Sequence, residues 1–362
     1  MLTDDTFAVT PGAATYTTGN VLANDVDGDG GTLSVIDYSQ PATGSVAYND
    51  DGTFTVNDGH QFYEANSFSY RADDGQTSLS HYYGFNGDVT DSVGGNDASS
   101  VTGATYGDGS FGRGIWFDEV DDHAVIPDFA YNDEFTVSFD FKIDDNTGTL
   151  FQYLYSHGTV STSNSLNIYL AEDGHQTMAN GLVTNFADVN DGGASFTMDV
   201  ASLIGDGNWH NYTMTSGPSG VQVYLNGALQ ISVLSRGGDA FNPGSDLHLG
   251  GRNDSNPDHH FGGGLDSLRI FDQALTASEV ADQANPQHSI AEVTLQPVGT
   301  FAGQSSDGGL SINADSGDDV YLMADDGNSL LGGKTRLTYE TQVSMTDASG
   351  GAIVSYSVDG SD

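Results

Sequence analysis

Acidic side chains gather in glycine-rich turns at several points of this sequence, and they are its most prominent candidates for chemistry. Between residues 24 and 31, oxygen-bearing side chains alternate with apolar or glycine residues: Asn24, Asp25, Asp27 and Asp29. Carboxylates at this spacing in a loop can converge on one hard cation such as calcium. An EF-hand is excluded, because the stretch has no flanking helices and no glutamate at the twelfth position. The alternative interpretation is a solvated acidic turn that binds no metal.

Asp266 is a second candidate metal ligand, because it shares one face of an alternating strand with Leu268 and Ile270. That face is expected to be buried, and a buried carboxylate needs a partner, of which a metal ion is one. Oxygen donors also occur in the segment 86–97: Asn86, Asp88, Asp91 and Asn96. Two or three of them, with Asp266 and backbone carbonyls, would supply the roughly six or seven oxygens that calcium takes.

A third acidic group lies in a predicted hairpin and consists of Asp118, Asp121 and Asp122. Such a group can bind a metal ion, or it can be an ordinary exposed turn, and the sequence leaves both interpretations open.

The sequence does not contain the complete residue pattern of any of three catalytic sites: a glycosidase, a serine hydrolase or a zinc enzyme. Hydrolysis of a glycosidic bond needs two carboxylates, as in the E-x-D-x-x-E strand of some glycosidases, and the run from Glu119 has Ala124 where the second glutamate is required. No G-x-S-x-G stretch stands at a strand-to-helix turn. The pair His259-His260, near His248, lacks the spacing of zinc sites and is more typical of a polar loop. The sequence therefore predicts a protein that is not an enzyme.

Polar residues in three long loops are better suited to recognising hydroxyl groups, and loops on a rigid scaffold are where binding is usually found. The predicted ligand-binding residues are Ser156, His157, Asn180, Asn190, Arg252, Asn253, Asp254 and His259. The two tryptophans, Trp116 and Trp209, could stack on sugars, but the pattern favours a place in the core.

The composition excludes several classes of protein. The chain has 362 residues, with 51 acidic against 8 basic residues and a formal net charge of -43, so a nucleic-acid partner is excluded. Acidic disorder is rejected, because 17 tyrosines and 18 phenylalanines stand in alternating runs that can pack. With no cysteine, calcium rather than disulfide bonds would stabilise an extracellular fold. No stretch is apolar enough to insert into a membrane, and we expect a fragment of a longer secreted or cell-surface protein.

Short alternating strands and glycine turns predict an all-β fold. The predicted strands are 7–9, 16–17, 33–38, 44–48, 53–56, 67–72, 124–126, 136–143, 150–156, 166–170, 195–199, 210–216, 221–225, 247–250 and 265–271. Asn226-Gly227 is typical of a hairpin turn. Thr276 and Glu279 predict a capping box at the start of one short helix.

Residues 81–284 resemble a laminin G-like (concanavalin A-like) jelly-roll domain. The resemblance rests on the opening YYGFNGD at 82–88, GIWFDEVDD at 114–122, NWH at 208–210 with VYLNG at 223–227, and the closing GGLDSLRIF at 263–271. It implies a metal that ties the first and last strands together. The family usually has glycine where this chain has Glu119, so we expect a different turn there.

Residues 1–80 resemble the cadherin-like (VCBS/RapA-type) repeats of large bacterial RTX-type adhesins. The matching stretches are NVLANDVDGDGGTLSV at 20–35, GSVAYNDDGTFTV at 44–56 and FYEANSFSYRADDG at 62–75. The resemblance implies an extender module with calcium at the domain ends, held by Asp5, Asn24, Asp25, Asp27, Asp29 and Asp73.

Residues 285–362 begin with a linker marked by Asn285-Pro286 and Pro297. Three later stretches then resemble three earlier ones in sequence: 318–325 resembles 121–128, 337–345 resembles 135–143, and 353–360 resembles 151–158. This repetition predicts an incomplete second laminin G-like domain. A small separate β-domain is the alternative.

Together these observations predict a calcium-dependent adhesin module in which loops of the laminin G-like domain bind a glycan or a surface protein. The chain would neighbour further repeats of the same long protein. The alternatives are a non-catalytic carbohydrate-binding module of a secreted polysaccharide-degrading enzyme, and a purely structural spacer.

Overall fold

The computed structural model describes residues 2–10, 13–27, 31–57, 62, 65–73, 78–146, 151–158, 164–172, 175, 178–188, 192–233, 241–253, 259–284 and 290–297. Within these residues the chain is nearly all β and forms two sandwiches, which confirms the predicted fold class. No helix in this part of the chain is long and apolar enough to cross a membrane.

The first sandwich opens the chain with six strands. They are Asp5–Val9 (β1), Tyr16–Thr17 (β2), Ser34–Tyr38 (β3), Ser45–Tyr48 (β4), Phe54–Asn57 (β5) and Asn66–Asp73 (β6). One sheet has the order β2-β5-β4, and β3 and β6 belong to the other. Phe54, Phe68 and Tyr70 pack between the two sheets with neighbouring valines. All six strands lie close to their predicted positions.

The second sandwich contains fifteen strands among the described residues. They are Leu79–Tyr83 (β7), Ser100–Thr102 (β8), Thr105–Asp108 (β9), Arg113–Asp118 (β10), His123–Ile126 (β11), Phe135–Ile143 (β12), Gln152–His157 (β13), Ser165–Leu170 (β14), Gly181–Asp188 (β15), Gly192–Asp199 (β16), His210–Gly217 (β17), Gly220–Leu225 (β18), Ala228–Val233 (β19), Leu247–Leu249 (β20) and Gly262–Phe271 (β21). One sheet runs β19-β18-β17-β12-β21-β10-β9 with β7 paired to β21, and the other runs β16-β15-β14-β13-β20-β11-β8.

Strand β12 shows how the second core is built. Phe135, Val137, Phe139 and Phe141 point into the core, as the alternation predicts. The opposite face was expected to meet solvent, yet Thr136 and Ser138 are fully buried there. The segment after β21 covers Thr136, whose hydroxyl donates to the carbonyl of Gln273 and accepts from the N–H of Leu275.

Helix α1 covers part of the same outer face and spans Ala277–Gln283. The predicted capping box at its start is confirmed: the N–H of Glu279 donates to the hydroxyl of Thr276, and the Glu279 carboxylate accepts from the N–H of Thr276. Val280 of the helix packs on Phe271 and Tyr224, which closes the end of β21.

The last described strand, Ile290–Pro297 (β22), returns to the first sandwich. It pairs in parallel with β1, from Asp5 opposite Val293 to Val9 opposite Pro297, and antiparallel with β6. The order of that sheet is therefore β1-β22-β6-β3. The second sandwich is thus inserted between the last two strands of the first.

Strand β22 corrects the predicted boundary at residue 285, because residues 290–297 complete the first sandwich instead of opening a third unit. Ala291, Val293 and Leu295 are buried in its core. The prediction of an incomplete second jelly roll falls, beyond this strand, on residues outside the described part of the chain.

Candidate functional site

An aromatic pair stands on the outer face of the sheet that contains β13 and β14. Tyr153 and Tyr169 are direct neighbours across these strands, and their rings stack at 4.8 Å between centroids. Phe151 lies against Tyr169 with centroids 5.3 Å apart. Tyr169 is half-buried, and burial raises the pKa of its phenol, so the hydroxyl stays protonated.

Two predicted ligand-binding residues border this pair. The guanidinium carbon of Arg252 lies 5.8 Å from the ring centre of Tyr153, and the ring of His259 is 5.9 Å from the same ring. Arg252 and His259 also approach each other, with Nη1 and Nε2 3.5 Å apart. The structure therefore brings a cation and an imidazole to an aromatic surface.

Ser156 and Asn253 hold the adjoining loop onto the sheet. Ser156 is fully buried; its hydroxyl donates to Oδ1 of Asn167 over 2.7 Å and accepts from the N–H of Asn253 over 3.0 Å. Ser156 thus positions the loop, whereas Asn253 remains half-buried at its surface. Tyr169 and Arg252 are half-buried as well, whereas Tyr153 and His259 are buried and support them. We call the group of Tyr153, Tyr169, Arg252, Asn253 and His259 the tyrosine face.

His157 was predicted to bind ligand, and the structure contradicts this. It is fully buried, with Nδ1 2.7 Å from the hydroxyl of Tyr131 and Nε2 3.1 Å from Asp128. Burial lowers the pKa of its imidazole. The physical reason is a β-bulge between Tyr153 and Tyr155, which shifts the alternation so that the end of the strand turns inward.

Of the three remaining predicted ligand-binding residues, one lies apart from the tyrosine face and two lie outside the described residues. Asn180 has a left-handed backbone (φ 55°) and accepts from Nδ2 of the buried Asn146 over 2.7 Å, so it orders a turn. Asn190 and Asp254 lie outside the described residues.

Asp118, Asp121 and Asp122 form a compact acidic group. One carboxylate oxygen from each lies within 4.8 Å of the others, and no other such group of three or more occurs among the described residues. Asp122 is buried and accepts from the N–H of Asp118 over 3.0 Å. Burial, and then the charges of Asp118 and Asp121, raise the pKa of Asp122. Such a donor set fits a hard cation such as calcium.

Glu119 lies in the turn of this group, at the position where a different turn was expected. It adopts the left-handed backbone (φ 66°) that glycine takes most readily. Its carboxylate accepts from Nε2 of Gln152 over 3.2 Å, and burial and the charge of Asp145 raise its pKa. Ala124, the position of the missing second glutamate, is buried in the core.

Sequence profiles match both parts of the chain. Residues 118–281 match the family described as the concanavalin A-like lectin/glucanases superfamily, Laminin_G_3, and residues 1–81 match the bacterial Ig domain, Big_9. The chain carries a bacterial Ig-like domain and a laminin G-like domain. The first sandwich is the Ig-like domain and the second is the laminin G-like domain. No curated protein matches the sequence.

Several solved structures are similar to this chain. Domain 4 of AbnA, an extracellular GH43 arabinanase from Geobacillus stearothermophilus, in complex with arabinotriose, has 23% identity and a TM-score of 0.45, over 57% of this chain and 98% of that chain. The binding domain of paraclostridial mosquitocidal protein 1 has 18% identity and a TM-score of 0.48, over 58% of this chain and 52% of that one. The receptor binding domain of botulinum neurotoxin type G has 15% identity and a TM-score of 0.44, over 58% and 51%. The chain thus spans about half the length of these two toxin domains.

The opening loop of the laminin G-like domain does not assemble the predicted metal site. Asp91 accepts from His81 and from the N–H groups of Tyr82, Val93, Gly94 and Asn96. Burial alone would raise the pKa of Asp91, but these hydrogen bonds hold it at about 2. Its oxygens are therefore taken by the loop itself.

The other donors of this loop also have protein partners. Asn86 donates to Asp37 of the Ig-like domain and accepts from the N–H of Arg113, and Asn96 donates to the carbonyl of Pro127. Asp88 accepts from the N–H of Thr90 within its own turn.

Asp266 is buried as predicted, but it faces a different set of residues. It is fully buried, and its Oδ2 lies 2.8 Å from the N–H of Phe111 and 2.9 Å from the hydroxyl of Ser110. Burial raises the pKa of Asp266 to about 8, so its carboxyl is largely protonated at neutral pH. The same Ser110 hydroxyl lies 2.6 Å from Asp140. A proton on Asp266 can therefore be donated to Ser110, which donates to Asp140, and no metal is needed to satisfy the buried carboxyl.

Within the Ig-like domain, Asp5 and Asp25 do come together. The hydroxyl of Tyr70 lies 2.6 Å from Asp25 and 3.4 Å from Asp5. Burial, and then the charge of Asp25, raise the pKa of Asp5 to about 6. Asn24 donates to the carbonyls of Thr3 and Asp4 close by.

The rest of the predicted Ig-like metal set is placed elsewhere. Asp27 accepts from the N–H of Gly31, and Asp73 stands opposite Ser34 at the end of β6. Asp29 lies outside the described residues.

The tryptophans are also placed differently from the expectation of a core position. Trp116 and Trp209 are half-buried on the outer face of the β10-β21-β12 sheet, with their rings edge to face at 5.7 Å. Lys142 lies 5.4 Å from the ring centre of Trp116. The indoles rest on backbone that has no side chains, at Gly107, Gly114 and Gly264.

Sequence reasoning missed Tyr153 and Tyr169 as functional residues. The signal available was their alternation with Leu154, Ile168 and Leu170, which places a tyrosine of each strand opposite the core face. Which strands are neighbours could not be read from that pattern.

Proposed function

We propose that the laminin G-like domain is a non-catalytic carbohydrate-binding module of a secreted or cell-surface adhesive protein, and that the tyrosine face is its binding site. The observation that carries this proposal is the half-buried ring of Tyr169, which stacks on the buried Tyr153 beside the half-buried Arg252 and Asn253. Aromatic rings pack on the C–H faces of sugars, and fixed N–H donors next to them select hydroxyl positions.

The side chains around the tyrosine face hold it rigid, and this rigidity favours ligand binding. Tyr169 stacks on Tyr153, which is 4% exposed, so the orientation of the Tyr169 ring is fixed before any ligand arrives. Ser156 fixes the backbone of Asn253 from below. A rigid, partly apolar surface with a few directed polar groups is what a neutral or weakly charged glycan requires.

The test is a glycan array with the whole chain, followed by titration of the best glycan against Tyr169→Ala. Loss of one stacking ring should weaken binding about 2- to 10-fold, corresponding to about 0.5–1.5 kcal/mol. Tyr106→Ala is the matched control, because Tyr106 is half-buried on β9 of the other sheet and should leave affinity unchanged. Equal weakening by both variants, or no glycan bound at all, would contradict the proposal.

Calcium enters the proposal as a scaffold ion at Asp118, Asp121 and Asp122, the group whose oxygens lie within 4.8 Å of one another. The ion would stiffen the turn that begins at Glu119. Calorimetric titration with calcium should show affinity reduced at least about 10-fold in Asp121→Asn, because one of three anionic ligands is lost. Asp144→Asn, at another exposed carboxylate, is the control and should bind calcium as the wild type does. Indistinguishable titrations of the two variants would remove calcium from this turn.

A further inference from the structure

The strand order of the Ig-like domain determines where tension along the chain is carried. Strand β1 opens the domain, β22 closes it, and the two are paired in parallel over five residue pairs. Tension on the two sides of the chain pulls the start of β1 and the end of β22 in opposite directions along the same axis. The hydrogen bonds between these strands are then loaded together in shear, whereas an antiparallel pair pulled from one end would open one bond at a time.

The laminin G-like domain lies outside this path. It is inserted between β6 and β22 and joins β22 at its start, whereas tension leaves β22 at its end. As long as β1 stays paired with β22, tension passes directly between the two strands and the inserted domain is not stretched.

Both strands are anchored in the core. Val9 of β1 and Val293 of β22 are fully buried, and β22 is also paired with β6 on its other side. Separating β1 from β22 therefore breaks the ladder and exposes apolar side chains in the same step.

We propose that the Ig-like domain acts as a load-bearing clasp, in which β1 and β22 carry tension along the chain and keep the inserted laminin G-like domain folded under load. The proposal rests on the strand order and the buried residues of the Ig-like domain, and on no residue of the tyrosine face. Glycan binding and the clasp can therefore fail independently of each other.

The test is single-molecule force spectroscopy on the whole chain with a handle at each end. The Ig-like domain should open first and lengthen the chain by about 25–30 nm, and the laminin G-like domain should follow with about 70 nm, from roughly 3.3–3.6 Å per extended residue. Traces in which the longer step comes first, or in which both domains open in one step, would overturn the proposal.

A cross-linked variant tests whether both steps come from the segment that β1 and β22 enclose. Thr6 and Thr294 are partners in the β1–β22 ladder, and the chain has no cysteine of its own, so Thr6→Cys with Thr294→Cys introduces one disulfide. In the oxidised variant both steps should disappear, and they should return when a reductant is added. If the 70 nm step persisted in the oxidised variant, it would not come from the inserted domain, and the order of steps on which the clasp depends would be refuted.

The matched control joins another strand pair of the same sandwich. Ala47 and Thr55 are partners in β4 and β5, and Ala47→Cys with Thr55→Cys closes only a short hairpin. Oxidation of this pair should leave the 70 nm step unchanged and shorten the first step slightly. A control that loses the long step would show that cross-linking itself, and not the clasp, alters the traces.

Discussion

Nη1 of Arg71 donates a 3.0 Å hydrogen bond to Oγ of Ser267, and this bond joins the Ig-like domain to the last strand of the laminin G-like domain. Ser267 has a left-handed backbone (φ 50°), so the chain bends at this point of β21. Nη1 of Arg71 also donates to the hydroxyl of Tyr82, which donates to Asp37 over 2.7 Å. The two domains therefore share one buried polar chain in which a guanidinium faces a carboxylate through a phenol.

Arg71→Met should destabilise the whole of this interface. Arg71 is 2% exposed and Asp37 is 7% exposed, so the variant would leave a carboxylate buried without its cation. We expect the free energy of unfolding to fall by about 2–4 kcal/mol, measured by urea unfolding. Arg113→Met is the control, because Arg113 is exposed and its side chain donates to the carbonyl of Tyr106.

The control should change stability by less than about 0.5 kcal/mol. Adding Asp37→Asn to Arg71→Met should recover part of the loss, since the buried charge is then removed. If Arg71→Met and Arg113→Met were equally stable, the polar chain would contribute nothing to holding the domains together.

Asp266→Asn should make stability less dependent on pH. Burial raises the pKa of Asp266 in the folded chain to about 8 from an ordinary value of 3.8, so the folded state binds a proton more tightly than the unfolded state. This contribution to stability is fully present below about pH 4 and is lost as the pH rises through 8. An asparagine keeps the shape and cannot ionise, but its amide nitrogen cannot accept one of the two N–H bonds that Asp266 receives from Phe111 and Ser267.

The comparison is the midpoint of thermal unfolding for wild type and variant at pH 4 and at pH 8. At pH 4 the variant should be less stable by about 1–3 kcal/mol, because one buried N–H loses its acceptor. Between pH 4 and pH 8 the wild type should lose about 2–4 kcal/mol more stability than the variant, so the difference moves in the variant's favour. Asp144→Asn, at an exposed position, tests whether the overall negative charge causes the effect. If that control gave the same gain, the burial of Asp266 would not be the cause.

Local patterns predicted most of the strands, but not which strands pair. The hairpin turn is as expected, with Asn226 and Gly227 both at positive φ, and β12 and β21 lie where alternation placed them. Strand β22 was assigned to another unit even though Ala291, Val293 and Leu295 alternate. Its partner β1 lies at the other end of the described chain, and no local signal encodes such a distant parallel pair.

The candidate site was predicted only in part, because local patterns do not show which distant residues become neighbours. Arg252, Asn253 and His259 were identified as polar loop residues, and the structure places them together. Asp266 was correctly expected to be buried, but its partners are Ser110 and Phe111 in the turn between β9 and β10, and not the opening loop. That turn is distant from Asp266 in the sequence, and residue spacing does not reveal which turn meets a given strand.

Glu119→Gly should raise stability, because Glu119 is held in a left-handed backbone that costs a residue with a side chain about 1 kcal/mol relative to glycine. The carboxylate also accepts a 3.2 Å hydrogen bond from Gln152, which the variant loses. Glu119→Ala separates the two effects, since it loses the same bond and keeps the backbone strain. The free energy of unfolding, measured with urea, should therefore be about 1 kcal/mol higher for the glycine variant than for the alanine variant. Equal stability of the two variants would show that the left-handed backbone at this turn carries no penalty.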